Sequence, residues 1–253
     1  MTALVAVTLG NSNAAAALVT DDALGPVRRT PVAQLGELSA LLARACPDCG
    51  GEAVPVVVSS VNPPALDRVG RLLAGMSLPA PLLAREDFPI PLRNETLQPD
   101  RVGADRLLGA LAAYRRVGAP CVVVDAGTAI TVNAVRSDGA FLGGAIFPGL
   151  AMMARALAEG TALLPTVAPA ADVPLVGKST EQAIAVGIRR GAAGAVAGLI
   201  AAARQTVGPG ARVVLTGGDA ERLAEFLPPD CRLTFPNLVL EGLVFAYREW
   251  QKR

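Results

Sequence analysis

The sequence predicts an α/β protein made of two similar halves, and three observations predict it. One pattern occurs twice: Val5-Ala6-Val7-Thr8-Leu9-Gly10-Asn11-Ser12 and Val122-Val123-Val124-Asp125-Ala126-Gly127-Thr128-Ala129. In each copy an apolar run ends in a polar residue and a glycine turn, and a second apolar stretch follows (Ala14 to Val19, Ile130 to Val135). That order reads as strand, tight turn, strand. Secondly, strand hairpins alternate with helical patterns along the chain, which indicates an α/β architecture. Thirdly, 52% of the 253 residues are hydrophobic and 18% charged, which permits a large core and argues against disorder. Glycine turns of this kind expose backbone N–H groups that a phosphate can approach. Two copies suggest duplicated ribonuclease-H-like halves around a nucleotide cleft.

The elements follow in order. Residues 3–9 and 14–19 form a hairpin. Leu35 to Ala45 has helical apolar spacing. Val54 to Ser59 is a strand, and Asn62-Pro63-Pro64 opens a helix through Leu73. Leu82-Leu83 is a short strand, and Pro89 to Pro99 is an irregular connection rich in proline. Asp105 to Arg115 is helical, with Leu107, Leu108, Leu111 and Tyr114 on its apolar stripe. The second half repeats the scheme. Cys121 to Asp125 and Ile130 to Val135 form a hairpin, Asp138-Gly139 turns into a strand from Ala140 to Ile146, and Pro148-Gly149 leads into a helix from Leu150 to Glu159. Glu181 to Gln205 is a long Ala/Gly-rich helix with a break expected near Gly191. Arg212 to Thr216 is a strand ending at Gly217-Gly218, and Leu240 to Gln251 closes the chain. The halves are expected at 1–115 and 116–253, with the closing helix placed to pack back on the first.

Composition narrows the chemistry. Net charge is +1 and no run of Lys or Arg occurs, so nothing points to nucleic acid. There is no histidine, which excludes a histidine triad and histidine-ligated metal; proton transfer near neutral pH falls to a carboxylate, lysine, tyrosine, cysteine or the substrate. Of the four cysteines, Cys46 and Cys49 make a lone CxxC. It lacks a second pair for zinc and a strand-to-helix setting for redox work, so it reads as a plain loop. Cys121 opens a buried strand and reads as core. The first 20 residues lack a basic segment, and Gly10-Asn11-Ser12-Asn13 interrupts them, unlike a signal peptide. The uncharged run Gly191 to Ala203 is too short to span a bilayer. A soluble cytoplasmic protein, not bound to membrane, is expected.

Seven short motifs occur in one order: Gly10-Asn11-Ser12, Gly103-Ala104-Asp105-Arg106, Asp125-Ala126-Gly127-Thr128-Ala129, Gly143-Gly144-Ala145-Ile146-Phe147-Pro148-Gly149, Gly177-Lys178-Ser179-Thr180, Thr216-Gly217-Gly218 and Pro236-Asn237-Leu238-Val239-Leu240-Glu241-Gly242-Leu243. Together they make the chain resemble, almost end to end, the type III pantothenate kinases of the acetate and sugar kinase, chaperone and actin superfamily. The resemblance implies an actin-like ATPase fold and transfer of the γ-phosphoryl of ATP to the hydroxyl of pantothenate, the first step of coenzyme A synthesis. It also implies Mg²⁺, a monovalent cation such as K⁺ or NH₄⁺, and a homodimer.

The resemblance assigns roles by position, and for several positions a simpler reading stands beside it. Asp105 matches the catalytic base; equally, aspartate is favoured in the first turn of a helix. Gly103, Ala104 and Arg106 match the rest of the substrate segment; Arg106 suits a substrate carboxylate or an intrachain ion pair. Thr180 matches another substrate contact, while Ser179-Thr180-Glu181 also reads as a helix cap. Asp125 matches the monovalent-cation ligand and Thr128 an ATP contact; an aspartate ending an apolar strand is hard to place as core. Gly217 and Gly218 match nucleotide contacts, although two glycines after a strand also make an ordinary turn. Thr8, Leu9, Gly10, Asn11, Ser12, Asn13, Ala14 and Ala15 match the first phosphate loop.

Three positions depart from the family. Thr8 replaces an aspartate that helps hold metal near the ATP phosphates, and a neutral hydroxyl is a poor ligand for a hard cation. Thr96 stands where a substrate-contacting tyrosine is frequent, and Val186 where a small hydroxyl follows the Gly177-Lys178-Ser179-Thr180 motif. The loss at Thr8 opens an alternative: a member with weak or no turnover that acts as a regulatory or accessory binding protein. Retention of Asp105, Arg106, Asp125, Thr128 and Thr180 favours the kinase.

Overall fold

The computed structural model describes residues 3–43, 54–168 and 173–253. In chain order the strands of the first part are β1 (Leu4–Leu9), β2 (Asn13–Thr20), β3 (Ala23–Leu24) and β4 (Arg28–Pro31). A 3-10 helix, Val32–Leu38, runs into the short α1 (Ser39–Leu42), followed by β5 (Val56–Ser60), α2 (Pro63–Gly75) and β6 (Leu82–Leu83). A 3-10 turn at Pro99–Arg101 precedes α3 (Ala104–Val117). Then come β7 (Cys121–Ala126), β8 (Ala129–Val135), β9 (Phe141–Pro148), α4 (Leu150–Gly160) and α5 (Thr180–Val207). The chain continues with β10 (Arg212–Thr216), α6 (Ala220–Ala224), β11 (Leu233–Thr234) and α7 (Leu238–Gln251).

Two compact units result. Unit 1 comprises Met1–Leu92, Gln98–Ala112 and Leu238–Arg253; unit 2 comprises Arg93–Leu97 and Ala113–Asn237. Unit 1 holds a six-stranded sheet ordered β3-β2-β1-β5-β6, with β4 also paired to β2. Asp21 and Asp22 adopt left-handed backbone (φ 51° and 63°), the conformation that joins β2 and β3 in a tight hairpin. Val5, Val7 and Leu9 face a core with the first helices and α2; Leu4 and Ala6 face a second core with Leu108, Leu111 and the α7 residues Leu240, Leu243 and Val244. Unit 2 holds a five-stranded sheet ordered β11-β10-β7-β8-β9. Val122, Val124 and Ala126 face a core that takes in α4, α5 and α6.

The two sheets repeat one plan. In each, an antiparallel hairpin (β1–β2, β7–β8) is followed on its inner side by parallel strands (β5 and β6, β10 and β11). Each unit therefore carries the expected ribonuclease-H-like arrangement. Three details differ from expectation. The helix α5 runs unbroken for 28 residues through Gly191, because its buried face (Ile184, Ile188, Ala192, Val196, Ile200) is clamped against unit 2's sheet, and packing outweighs the cost of glycine in a helix. The segment from Leu35 begins as 3-10 helix at Val32 rather than as α-helix. The closing helix starts at Leu238, whose side chain is buried. Cys121 is fully buried and burial pushes its thiol up to about 12, consistent with core. Cys46 and Cys49 lie outside the described residues. Among the described residues α5 alone is long and apolar enough to cross a membrane, and 44% of its most apolar 18-residue window is buried.

Candidate active site

In unit 1, strand β1 alternates faces with period two, so Thr8 follows Leu4 and Ala6 on the α7 side of the sheet. Thr8 sits in register with Ser59 of β5, and its hydroxyl donates to the Ala15 carbonyl at 3.5 Å. The turn closes with the Gly10 N–H donating to the Asn13 carbonyl (2.9 Å). Asn11, Ser12 and Asn13 are exposed, whereas Leu9 and Ala14 bury their side chains in the core and can offer only backbone groups to a ligand. Ala15 is half-buried. Asn62, expected only to open a helix, also supports this turn. Its side-chain oxygen caps α2 by accepting the Ala65 N–H (3.1 Å), and its Nδ2 donates to the Gly10 and Asn11 carbonyls (3.3 and 3.4 Å). One amide thus ties the first turn to the start of a helix. The Asn-Pro-Pro cap was readable; the partners some 50 residues upstream were not.

Asp105 stands in the first turn of α3, also in unit 1. Its Oδ1 accepts the Arg106 N–H at 2.8 Å. Burial pushes its pKa upward, against the opposing pull of that N–H and the Arg106 guanidinium. Arg106 is half-buried; burial lowers its pKa and the Asp105 charge raises it. At Gly103 a Cβ would lie 2.5 Å from Asp105 Oδ1, so any larger residue would displace that carboxylate. Ala104 is buried, so its side chain packs. The result is a partly desolvated carboxylate beside a cation, with a raised proton affinity. Such a group can take a proton from a hydroxyl.

In unit 2, Asp125 ends β7 on the face opposite α5, following Cys121 and Val123. It is half-buried and in register with Thr216 of β10. Gly217 lies directly against it. Its φ is +93°, and a Cβ there would overlap the Ala126 carbonyl oxygen and lie 2.5 Å from Asp125 Oδ1. The Asp219 N–H donates to the Ala126 carbonyl (2.9 Å), fixing the Gly217-Gly218 turn to the end of β7. The Gly127 N–H donates to the Ala129 carbonyl (3.1 Å), and the Gly149 N–H to the Thr128 carbonyl (3.0 Å). Asp125, Thr128, Gly217 and Gly218 therefore belong to one corner of unit 2, with Gly149 as an unforeseen support.

Two further expected residues also lie in unit 2. Thr180 opens α5, but the cap is Ser179, whose Oγ accepts the Gln182 N–H (3.2 Å); the Thr180 side chain is exposed. Thr96 is held in an Asx turn, with its N–H and hydroxyl both donating to Asn94 Oδ1 (3.1 and 2.8 Å). Its segment is tied to the β8–β9 connection by Arg93, Glu95, Arg136 and Asp138. Arg136 pairs with Glu95 at 2.8 Å and Asp138 at 2.9 Å, and Arg93 with both acids. Thr96 and Asp105, neighbours in sequence, are thus built on different units.

A metal would find few ready ligands. Among the described residues no group of three or more His, Cys, Asp or Glu could hold an ion. The single carboxylate of Asp125 suits a hard cation that keeps waters or takes further oxygens from a phosphate, as Mg²⁺ commonly does, and does not suit an all-protein cage.

Comparisons of sequence and structure identify what the chain is similar to. A family model described as type III pantothenate kinase matches residues 4–202. A type III pantothenate kinase from Thermomicrobium roseum is 37% identical over 204 residues, 80% of this chain and 78% of that protein. Among solved structures, a Baf-family protein from Campylobacter jejuni superposes with a TM-score of 0.61 at 21% identity, covering 99% of this chain and 100% of the other. The activator of 2-hydroxyisocaproyl-CoA dehydratase from Clostridium difficile, with bound ADPNP, gives 0.55 at 12% identity, covering 99% and 96%. At those identities the likeness is one of fold.

Proposed function

The chain belongs to the type III pantothenate kinase family, and from that premise we propose that it phosphorylates pantothenate with ATP, giving 4′-phosphopantothenate for coenzyme A synthesis. The observation that carries the reading is Asp105: a partly desolvated carboxylate with a raised pKa, beside Arg106, in a protein without histidine. The pantothenate hydroxyl oxygen forms a bond to the γ-phosphorus as the bond from that phosphorus to the β–γ bridging oxygen breaks. The hydroxyl proton passes to Asp105, and ADP leaves. Phosphoryl transfer asks little more of a protein than positioning, charge neutralisation and a proton acceptor. Arg106 offsets the pantothenate carboxylate, and Gly103, Ala104, Thr96 and Thr180 complete the acceptor's contacts. In unit 1 the exposed Asn11 to Asn13 part of the first turn, and in unit 2 Thr128, Gly217 and Gly218, are the proposed nucleotide contacts.

Asp125 would hold a monovalent cation, K⁺ or NH₄⁺. Such an ion neutralises phosphate charge. Supporting that role is its half-buried carboxylate, three residues before Thr128 and close enough to Gly217 that a side chain there would meet it. The protein is further proposed to be a cytoplasmic homodimer. Gly187, Gly191, Gly194, Gly198 and Ala201 lie along one exposed face of α5, where a second helix could approach closely. Sedimentation at micromolar concentration checks this; a monomer contradicts it.

The deciding experiment is ADP release with a panel of hydroxyl acceptors, with and without K⁺. Turnover with pantothenate, stimulated by K⁺ in the parent but not in Asp125→Ala, is the expected result. ADP release with another acceptor and none with pantothenate would discard the assignment.

A further inference from the structure

The geometry points to Arg85 as a positioning residue that fixes the catalytic segment by capping the short turn before it. This rests on Asp105 being the proton acceptor. Arg85 follows β6 in unit 1, and its guanidinium reaches the Pro99–Arg101 turn. Nη1 donates to the Val102 carbonyl (2.5 Å), and Nη2 to the Asp100 and Pro99 carbonyls (3.1 and 3.4 Å). The Asp100 carboxylate is 4.0 Å away and fully exposed, so the carbonyls are the principal partners. Val102 caps the 3-10 turn, and its N–H donates to the Pro99 carbonyl (3.3 Å). The guanidinium thus joins the first and last carbonyls of the turn from outside it and meets the negative end of its dipole at Val102.

The next residue after Val102 is Gly103, and Asp105 Oδ1 already fills the space a side chain there would need. The backbone at Val102–Gly103 therefore sets where the Asp105 carboxylate lies. Arg85 grips that backbone directly.

The clamp has a rigid base. Val57 and Val58 of β5 pair with Leu82 and Leu83, and the Ala84 N–H donates to the Val58 carbonyl (2.9 Å). The Arg85 N–H donates to the carbonyl of buried Phe88 (2.7 Å), and the Phe88 ring packs on Tyr247 and Trp250 of α7. Arg85 itself has φ +79°, the left-handed region that a residue with a Cβ adopts at a cost. Glycine would suit that backbone better. What arginine adds is its side chain, and the three carbonyls are what the side chain holds.

The test separates positioning from general stability. Arg85→Gly removes the guanidinium and eases the backbone, so the fold is retained. In that variant kcat should fall about tenfold or more, because small displacements of a reacting group are costly. KM for ATP should stay within about twofold. The Asp105 carboxyl, followed by carbon-13 NMR and identified by its absence in Asp105→Asn, should titrate about half a pH unit lower as water reaches it. Arg85→Lys, which can hold one carbonyl, should recover part of both changes. An Asp105 titration in Arg85→Gly identical to the parent's overturns the inference, whatever happens to the melting temperature. Absence of pantothenate turnover in the parent would count against the proposed function, and the titration would still decide Arg85.

Discussion

At equivalent register in the two sheets, one turn carries Thr8 and the other Asp125. Thr8 lies beside Ser59 and Asp125 beside Thr216, each on the inner parallel strand. One residue further on, unit 1 has Ser60, whose Oγ accepts the Asn62 N–H (3.0 Å), and unit 2 has Gly217, pressed against the Asp125 carboxylate. The backbone plan is common and the chemistry has diverged. The β7–β8 turn offers a carboxylate suited to a cation. The β1–β2 turn is neutral and held from behind by an amide. Unit 1 supplies its carboxylate elsewhere, at Asp105.

The comparison breaks most deeply at that carboxylate. Asp105→Asn should lower kcat by roughly two to four orders of magnitude in the ADP-release assay. Because the folded-state pKa of Asp105 is raised by burial, its contribution to stability is present below the unfolded pKa and lost as pH rises through the folded value. The Asn variant should therefore melt no lower than the parent near neutral pH. Parent activity should have an acid limb above the usual carboxylate range.

Next in size is the paired glycine. Gly217→Ala must move the Ala126 carbonyl or abandon φ +93°, and should cost about 1–3 kcal/mol in chemical denaturation, with a raised KM for ATP. Ser60→Ala, at the matching place in unit 1, loses the two hydrogen bonds its hydroxyl makes with the Asn62 backbone and should cost about 1 kcal/mol. Equal effects would mean the two corners are not functionally distinct.

Thr8→Asp restores symmetry between the turns. It should raise kcat/KM for ATP about tenfold, equivalent to roughly 1.4 kcal/mol of transition-state stabilisation. A flat or reduced value would show that the first turn works without a carboxylate. The smallest expected effect concerns the ties around the acceptor segment. Glu95 and Asp138 have pKa values lowered first by hydrogen bonds from Arg136, so their contribution is present at neutral pH and lost as pH falls through those lowered values. These groups are solvent-exposed, so Arg136→Gln should move the melting temperature by about 2 °C or less. A much larger change would show that this ion-pair group anchors more of unit 2 than the Thr96 segment.

The duplicated hairpins were legible because their side-chain alternation and glycine turns are local. So were α2, with Asn62 before two prolines, and α3, with its apolar stripe. Shorter elements were not. Strand β4 buries only Thr30, β11 has two residues and α6 five, too few for any periodicity. The break expected near Gly191 failed because a glycine's local cost is set against a whole buried helix face. In the candidate site, the family's motif residues were legible; the groups that hold them were not. Asn62 reaches back to Gly10 and Asn11, and Arg85 forward to Val102. Neither bond leaves a spacing in the sequence.

The division of unit 1 into three stretches has a consequence for how the protein is made. Helix α7 supplies Leu240, Leu243, Val244 and Tyr247 to the core shared with Leu4, Ala6 and Val57. On the ribosome those residues emerge only after all of unit 2. The unit that begins first must therefore wait, with one face of its sheet covered only in part by Phe88, Leu108 and Leu111, while the unit that begins second already has its whole core. Nascent β1 and β5 are the apolar strands left exposed during that delay, and they are where chaperone binding or premature aggregation would concentrate.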